Sequence, residues 1–206
     1  MLRKSIIVTL LTALAASGSS FTGTFSQDDE QAVFTFTLAA PTSIELISFG
    51  YAGGVNEAGD PIAAGGFDTI LTIFEGLGPT AVLFNLNNDG GCGPVGVDPV
   101  TNACWDSFLS LPLLAAGDYT VVLTQADNFA NGPTLGDGFL HDGEGDFTGP
   151  TFLGLPGTFI DANLDQRTGN WAMDIRGIET PAPEPSTIGL TAAGLLTLLR
   201  AAARKR

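Results

Sequence analysis

Asn87, Asn88 and Asp89 stand in a row within Asn85-Leu-Asn-Asn-Asp-Gly-Gly, a Gly-flanked run of amides and a carboxylate. Hard cations such as Ca²⁺ take roughly six to eight oxygen ligands. If sheet pairing brings Asp68 or Asp106 beside this run, the oxygens make a candidate calcium site. The same residue types also build Asx turns that hold no ion, and the sequence leaves both readings open. A second acidic group, Asp137, Asp142, Glu144 and Asp146, poses the same choice. Neither group has EF-hand spacing. Other chemistry is sparse. His141 is the single histidine, and nothing around Ser107 or Ser110 marks a nucleophile elbow, so a Ser–His–Asp triad lacks a basis. A Walker loop, a dinucleotide fingerprint and HExxH are all missing. Carboxylate pairs are abundant, which keeps a small secreted glycan hydrolase or lyase open as the enzymatic alternative to a non-enzymatic protein.

The elements that would position these residues are strands. Ala-Val-Phe-Thr-Phe-Thr-Leu over 32–38 alternates Phe34, Phe36 and Leu38 with Val33, Thr35 and Thr37, the period of a half-buried strand. Further strands are expected over 43–50, 67–75, 80–85, 105–113, 119–125 and 171–176. Gly-rich turns and long irregular stretches separate them, notably 51–66 and 126–165. Short strands with turn signals between them argue for an all-β fold, an antiparallel β-sandwich of jelly-roll type with long Gly/Asp-rich loops.

Both ends read as targeting segments rather than core. Residues 1–18 begin with Arg3 and Lys4, continue through an apolar stretch from Ser5 to Ala16, and close on Ala-Ser-Gly, the layout of a secretory signal peptide. At the other end, Pro181, Pro183 and Pro185 keep the backbone extended. An apolar run follows, and Arg200, Arg204, Lys205 and Arg206 close the chain. Residues 187–203 reach the lower limit of about 17 residues for a transmembrane helix, with the basic end on the cytoplasmic side. A span this marginal suits a temporary tether. From Asp28 to Glu184, only Arg167 and Arg176 stand against all 22 carboxylates, a formal charge of −20. Nucleic-acid binding depends on Lys and Arg, so it is excluded as a function class. Cys92 and Cys104 are the only cysteines. In an exported chain they are expected to form a disulfide, and without nearby histidines they make a poor zinc set.

Pro183-Glu184-Pro185, the apolar helix and the terminal basic cluster together resemble the PEP-CTERM sorting signal of Gram-negative bacteria. That resemblance covers about the last 25 residues. It implies recognition by an exosortase, transient residence in the inner membrane, and delivery to the cell surface or extracellular matrix. The Ala-Ala-Ala spacer after Arg200 is a mild departure from the pattern.

A second resemblance covers roughly 32–125. Phe34-Thr-Phe-Thr-Leu, Phe67-Asp-Thr-Ile-Leu-Thr-Ile-Phe, Asn88-Asp-Gly, Ser107-Phe-Leu-Ser-Leu and Ala116-Gly-Asp-Tyr-Thr-Val are similar to bacterial pre-peptidase C-terminal domains. Those are small jelly-roll sandwiches with carbohydrate- or matrix-binding roles, sometimes with calcium. Insertions at 51–66, 92–104 and 126–165 depart from the family's compact pattern. The expected layout is a signal peptide (1–18), a β-sandwich domain (27–180) and a sorting tail (181–206). The expected role is a structural or polysaccharide-binding module of the cell exterior.

Overall fold

The computed structural model describes residues 18–178. The signal segment up to residue 17, the Pro183-Glu184-Pro185 motif and the 187–203 helix lie outside them. No helix among the described residues is long and apolar enough to cross a membrane.

Ten strands follow in order: β1 (Ser19–Thr24), β2 (Ala32–Leu38), β3 (Thr42–Ser48), β4 (Gly54–Val55), β5 (Pro61–Ile62), β6 (Thr69–Glu75), β7 (Val82–Asn87), β8 (Phe108–Leu114), β9 (Gly117–Gln125) and β10 (Asn170–Arg176). Eight of them form two antiparallel four-stranded sheets, ordered β1-β10-β3-β8 and β2-β9-β6-β7. The small β4-β5 hairpin makes a third pairing. The two large sheets face each other as a sandwich with the strand order of a jelly roll. Between them lie Phe36 and Leu38 from β2, Ile44 and Leu46 from β3, and Leu71 and Ile73 from β6. Leu109 and Leu111 from β8, Val121 and Leu123 from β9, and Met173 and Ile175 from β10 complete this core. The period-two pattern of β2 therefore does what its sequence implies: Phe36 and Leu38 go inside, and Val33, Thr35 and Thr37 stay exposed.

β6 and β9 are buried on both faces, because long loops fold back over the sheets. The segment after β9 lays Phe139 edge-on against Phe74, with Val122 and Ala81 beside them. The loop after β3 covers the outside of the other sheet. Its Glu57 backbone N–H donates to the buried Asp174 carboxylate at 2.8 Å.

Three local differences from the sequence reading have simple causes. β1 falls before residue 27, where the domain was expected to begin. Ser-Ser-Phe-Thr-Gly-Thr has one large apolar side chain and so carries no alternating pattern, yet it pairs with β10 over its whole length. β7 runs on through Asn85 to Asn87, because β6 supplies ladder partners that far. β8 starts at Phe108 rather than 105, because Trp105 and Asp106 are drawn into side-chain contacts.

The connections are unequal at the two ends of the sandwich. One end carries residues 25–31, 49–68, 88–107 and 126–169; the other carries only 39–41, 76–81 and 115–116. Ser19 pairs with Ile175 at the short-turn end. The described chain therefore enters and leaves at the end opposite the long loops.

Candidate functional site

The long-loop end holds a cavity of about 180 Å³ lined by Asp68, Asn88, Asp89, Trp105, Gln125, Ala126, Asp127, Phe152, Asp161 and Ala162. The sandwich brings these together because β6 starts, β7 ends and β9 ends at this end, with Thr69 paired to Gln125. Function concentrates on loops held by such a rigid scaffold.

The Asn88-Asp89 wall is fixed by a tight turn. Gly90 N–H donates to Asp106 C=O at 2.8 Å. A Cβ at Gly90 would lie 2.7 Å from both the Phe108 and Val95 side chains, so only glycine fits. Cys92 and Cys104 form the expected disulfide, with Cα atoms 5.2 Å apart. That bridge closes the loop between Asp89 and Trp105. Trp105 is half-buried and packs on Tyr51 with ring centroids 5.3 Å apart.

The polar lining is almost entirely acceptor oxygen. Asp68 is buried, and its Oδ1 has no hydrogen-bond partner. Gln125 is fully buried; its Nε2 donates to Ala126 C=O at 3.0 Å, which leaves Oε1 without a donor. Asn88 Nδ2 donates to Asp89 Oδ2 at 3.3 Å, and Asn88 Oδ1 is likewise orphaned. These are the three partnerless buried carboxyl or amide oxygens among the described residues, and all three line this cavity. Such atoms cost about 1–3 kcal/mol each when left unpaired. Burial pushes the Asp68 carboxyl well above the usual range, and the charges of Asp89, Asp106, Asp161 and Asp127 push it the same way. Burial raises Asp89 too.

The candidate ligand set is thus split. Asp68, Asn88 and Asp89 meet in the cavity. Asn87 and Asp106 do not serve as free ligands. Asn87 Oδ1 accepts from Phe108 N–H at 2.9 Å and ties β7 to β8. Asp106 Oδ1 accepts from Ser48 Oγ and Tyr51 N–H, and its Oδ2 from Ala52 N–H. Gln125 has no distinguishing mark in the sequence and enters only through β6–β9 pairing. Three of the second acidic group are engaged in hydrogen bonds or an ion pair, and Asp146 is exposed. Asp137 accepts from Thr134, Asp142 from Phe139 N–H and Gln31, and Glu144 lies 2.9 Å from His141. No three His, Cys, Asp or Glu side chains among the described residues form a ready metal cluster. Ser107 Oγ reaches the carbonyls of Thr69 and Asn87. His141 stacks on Phe147 in a different loop, with ring centroids 3.9 Å apart.

Beside the cavity runs a second buried polar cluster, fully paired. Arg167 donates to Asp98 at 2.9 Å, to Tyr51 C=O at 3.0 Å and to Gly66 C=O at 3.0 Å. Its guanidinium sits 3.9 Å above the Tyr51 ring. Tyr51 O–H donates to Asp161 at 2.8 Å, and the other Asp161 oxygen caps Asn163 and Asp165 N–H. Burial alone would raise Asp98, but the Arg167 hydrogen bond and those of Thr101 hold it down to about 2.

No family model matches this chain, and no curated protein matches it. Among solved structures, a periplasmic inhibitor of g-type lysozyme from Aeromonas hydrophila is 12% identical, over 82% of this chain and 93% of that one, with a TM-score of 0.38. A protein from Sulfurospirillum deleyianum is 10% identical, over 81% of this chain and all of that one, with a TM-score of 0.36.

Proposed function

We propose that this chain is an exported, non-enzymatic β-sandwich module that binds extracellular polysaccharide. Its tail, like a PEP-CTERM signal, would be read by an exosortase after transient residence in the inner membrane. The module would then act at the cell surface or in the matrix.

The observation that carries the reading is the cavity. A void of roughly 150 Å³ takes one six-membered ring, and this one is about 180 Å³. Trp105 and Phe152 offer apolar walls for a sugar's C–H face. The exposed Asp89 and half-buried Asp127 carboxylates in its lining offer acceptors for hydroxyl donors. The chain leaves the described domain at the opposite end, so a C-terminal tether would leave the cavity facing outward. The −20 charge of the stretch from Asp28 to Glu184 suits a soluble exterior protein.

The test is retention of the mature domain on native exopolysaccharide. Trp105→Ala should weaken retention at least tenfold, because base–aromatic and sugar–aromatic faces of this size contribute on the order of 1–3 kcal/mol. Unretained wild type, or equal retention of the variant, would refute the site. The sorting arm is checked separately: Glu184→Ala should leave the tail attached and the protein in the inner membrane.

The raised Asp68 carboxyl beside Asp89 favours one second reading, a glycan hydrolase with Asp68 as general acid. Release of reducing ends that is lost in Asp68→Asn would establish it over binding alone.

A further inference from the structure

We propose that the loop-end cavity binds a divalent cation of the Ca²⁺ class, held by the carboxylates of Asp68 and Asp89 and the amide oxygens of Asn88 and Gln125. This inference stands apart from the polysaccharide reading and does not require it.

Asp68 is 6% exposed and Gln125 fully buried; each keeps an unpartnered oxygen, and both line the same void as Asn88. The donor nitrogens of both amides are already engaged, Gln125 with Ala126 C=O and Asn88 with Asp89. Flipping either amide would lose that bond, so in both the oxygen stays the unpaired atom. No Lys, Arg or His lines the site. Arg167 is committed elsewhere, to Asp98 and two carbonyls. Four acceptor groups with no cationic side chain among them describe a cation site.

Coordination number decides which cation. An ammonium group has three N–H donors and cannot serve four side chains. A transition metal would look for His or Cys; His141 lies in another contact and both cysteines are in the disulfide. A mixed carboxylate–amide oxygen set is what Ca²⁺ takes, with water or a ligand hydroxyl completing roughly six to eight positions. No three acidic side chains among the described residues form a metal cluster, and two of the four proposed members are amides. The set revises the ligand list that the sequence suggests. Gln125 enters, and Asn87 and Asp106 leave.

The experiment uses the full chain, purified in detergent after chelation. Ca²⁺ at a hundredfold excess over its Kd should raise the thermal midpoint by roughly 5–10 °C. Asp68→Asn and Gln125→Met should each weaken the response at least tenfold. Terbium should luminesce on tryptophan excitation, because Trp105 lines the cavity. Trp105→Phe should lose that signal and keep the Ca²⁺ shift. An equal midpoint rise in NaCl at matched ionic strength would overturn the proposal, since that is only screening of the acidic surface. So would no rise at millimolar Ca²⁺, or a full rise in both Asp68→Asn and Gln125→Met. Polysaccharide retention in chelator leaves the binding reading standing whatever the metal result; loss of retention with an intact Ca²⁺ shift separates the two the other way.

Discussion

Two buried polar clusters share a wall at the long-loop end, and they are built on opposite terms. In one, Arg167 satisfies Asp98, Tyr51 C=O and Gly66 C=O, while Tyr51 O–H satisfies Asp161. In the other, Asp68, Asn88 and Gln125 each keep an oxygen with no donor. Asp161 belongs to the first by its hydrogen bonds and to the second by its position. The same loops, under the same constraints, complete one network and leave the other open. A chain able to pair a buried arginine three ways does not lack the means to pair an aspartate. The difference marks the first cluster as a clamp that holds loops together and the second as a place that takes something from outside.

Breaking the clamp should have the largest effect. Arg167→Met leaves Asp98 as an uncompensated buried charge and orphans two carbonyls. Removing one partner of a buried pair costs about 3–5 kcal/mol, measurable by urea unfolding. A loss below about 1 kcal/mol would mean that the two clusters do not differ in kind. Opening the Cys92–Cys104 bridge by Cys92→Ser with Cys104→Ser comes next. The bridge closes a short loop, 12 residues in separation, that carries Asp98 on one side and borders Trp105 on the other. The chain-entropy model gives a loss of about 3 kcal/mol. The same denaturation experiment reads it.

The pH dependence sharpens the contrast, because the two aspartates have opposite signs. Asp98 is held at about 2, below its ordinary value of 3.8. Its stabilisation is complete above about pH 4 and is lost as pH falls toward 2. Wild type should therefore show an acid loss between about pH 4 and pH 2 that is smaller in Arg167→Met, where only the Thr101 and Val100 bonds to Asp98 remain.

Much of the scaffold is legible in the sequence, and little of the site. β2 announces itself by alternation, since burial on one face is a local pattern, and β9 by its continuous run of Val121, Val122 and Leu123, which is buried on both faces. The disulfide is legible because only two cysteines exist in an exported-looking chain. Asp28 is not: it stands in what reads as an acidic lead-in, yet it is fully buried and accepts from Thr148, Thr158 and Phe159, residues far along the chain. Asp68 and Asn88 are visible as acceptor types but cannot be told apart from Asp106 and Asn87. Which of two neighbouring residues faces a cavity depends on strand register and on where a strand stops, and those are set by partners. Gln125 is the extreme case, an ordinary strand-end residue made into a cavity wall by its pairing with Thr69.

The smallest expected effect is the most discriminating, because its sign is unusual. Asp68→Asn removes a carboxyl whose folded-state pKa is raised, first by burial and then by neighbouring charge. In the unfolded chain that group ionises near its ordinary value of 3.8. Below about pH 4 it is protonated in both states and costs nothing. As pH rises toward the folded value, the unfolded state releases its proton first and gains relative stability. The penalty is complete above the folded pKa. In chelator, the variant should match wild type near pH 4 and exceed it at higher pH, by about 1 kcal/mol or roughly 2–4 °C in midpoint. A clamp residue cannot behave this way: any substitution at Asp98 must destabilise at neutral pH. If Asp68→Asn is destabilising at pH 7 without divalent ions, Asp68 is a structural acceptor like Asp98, and the two clusters are the same kind of object.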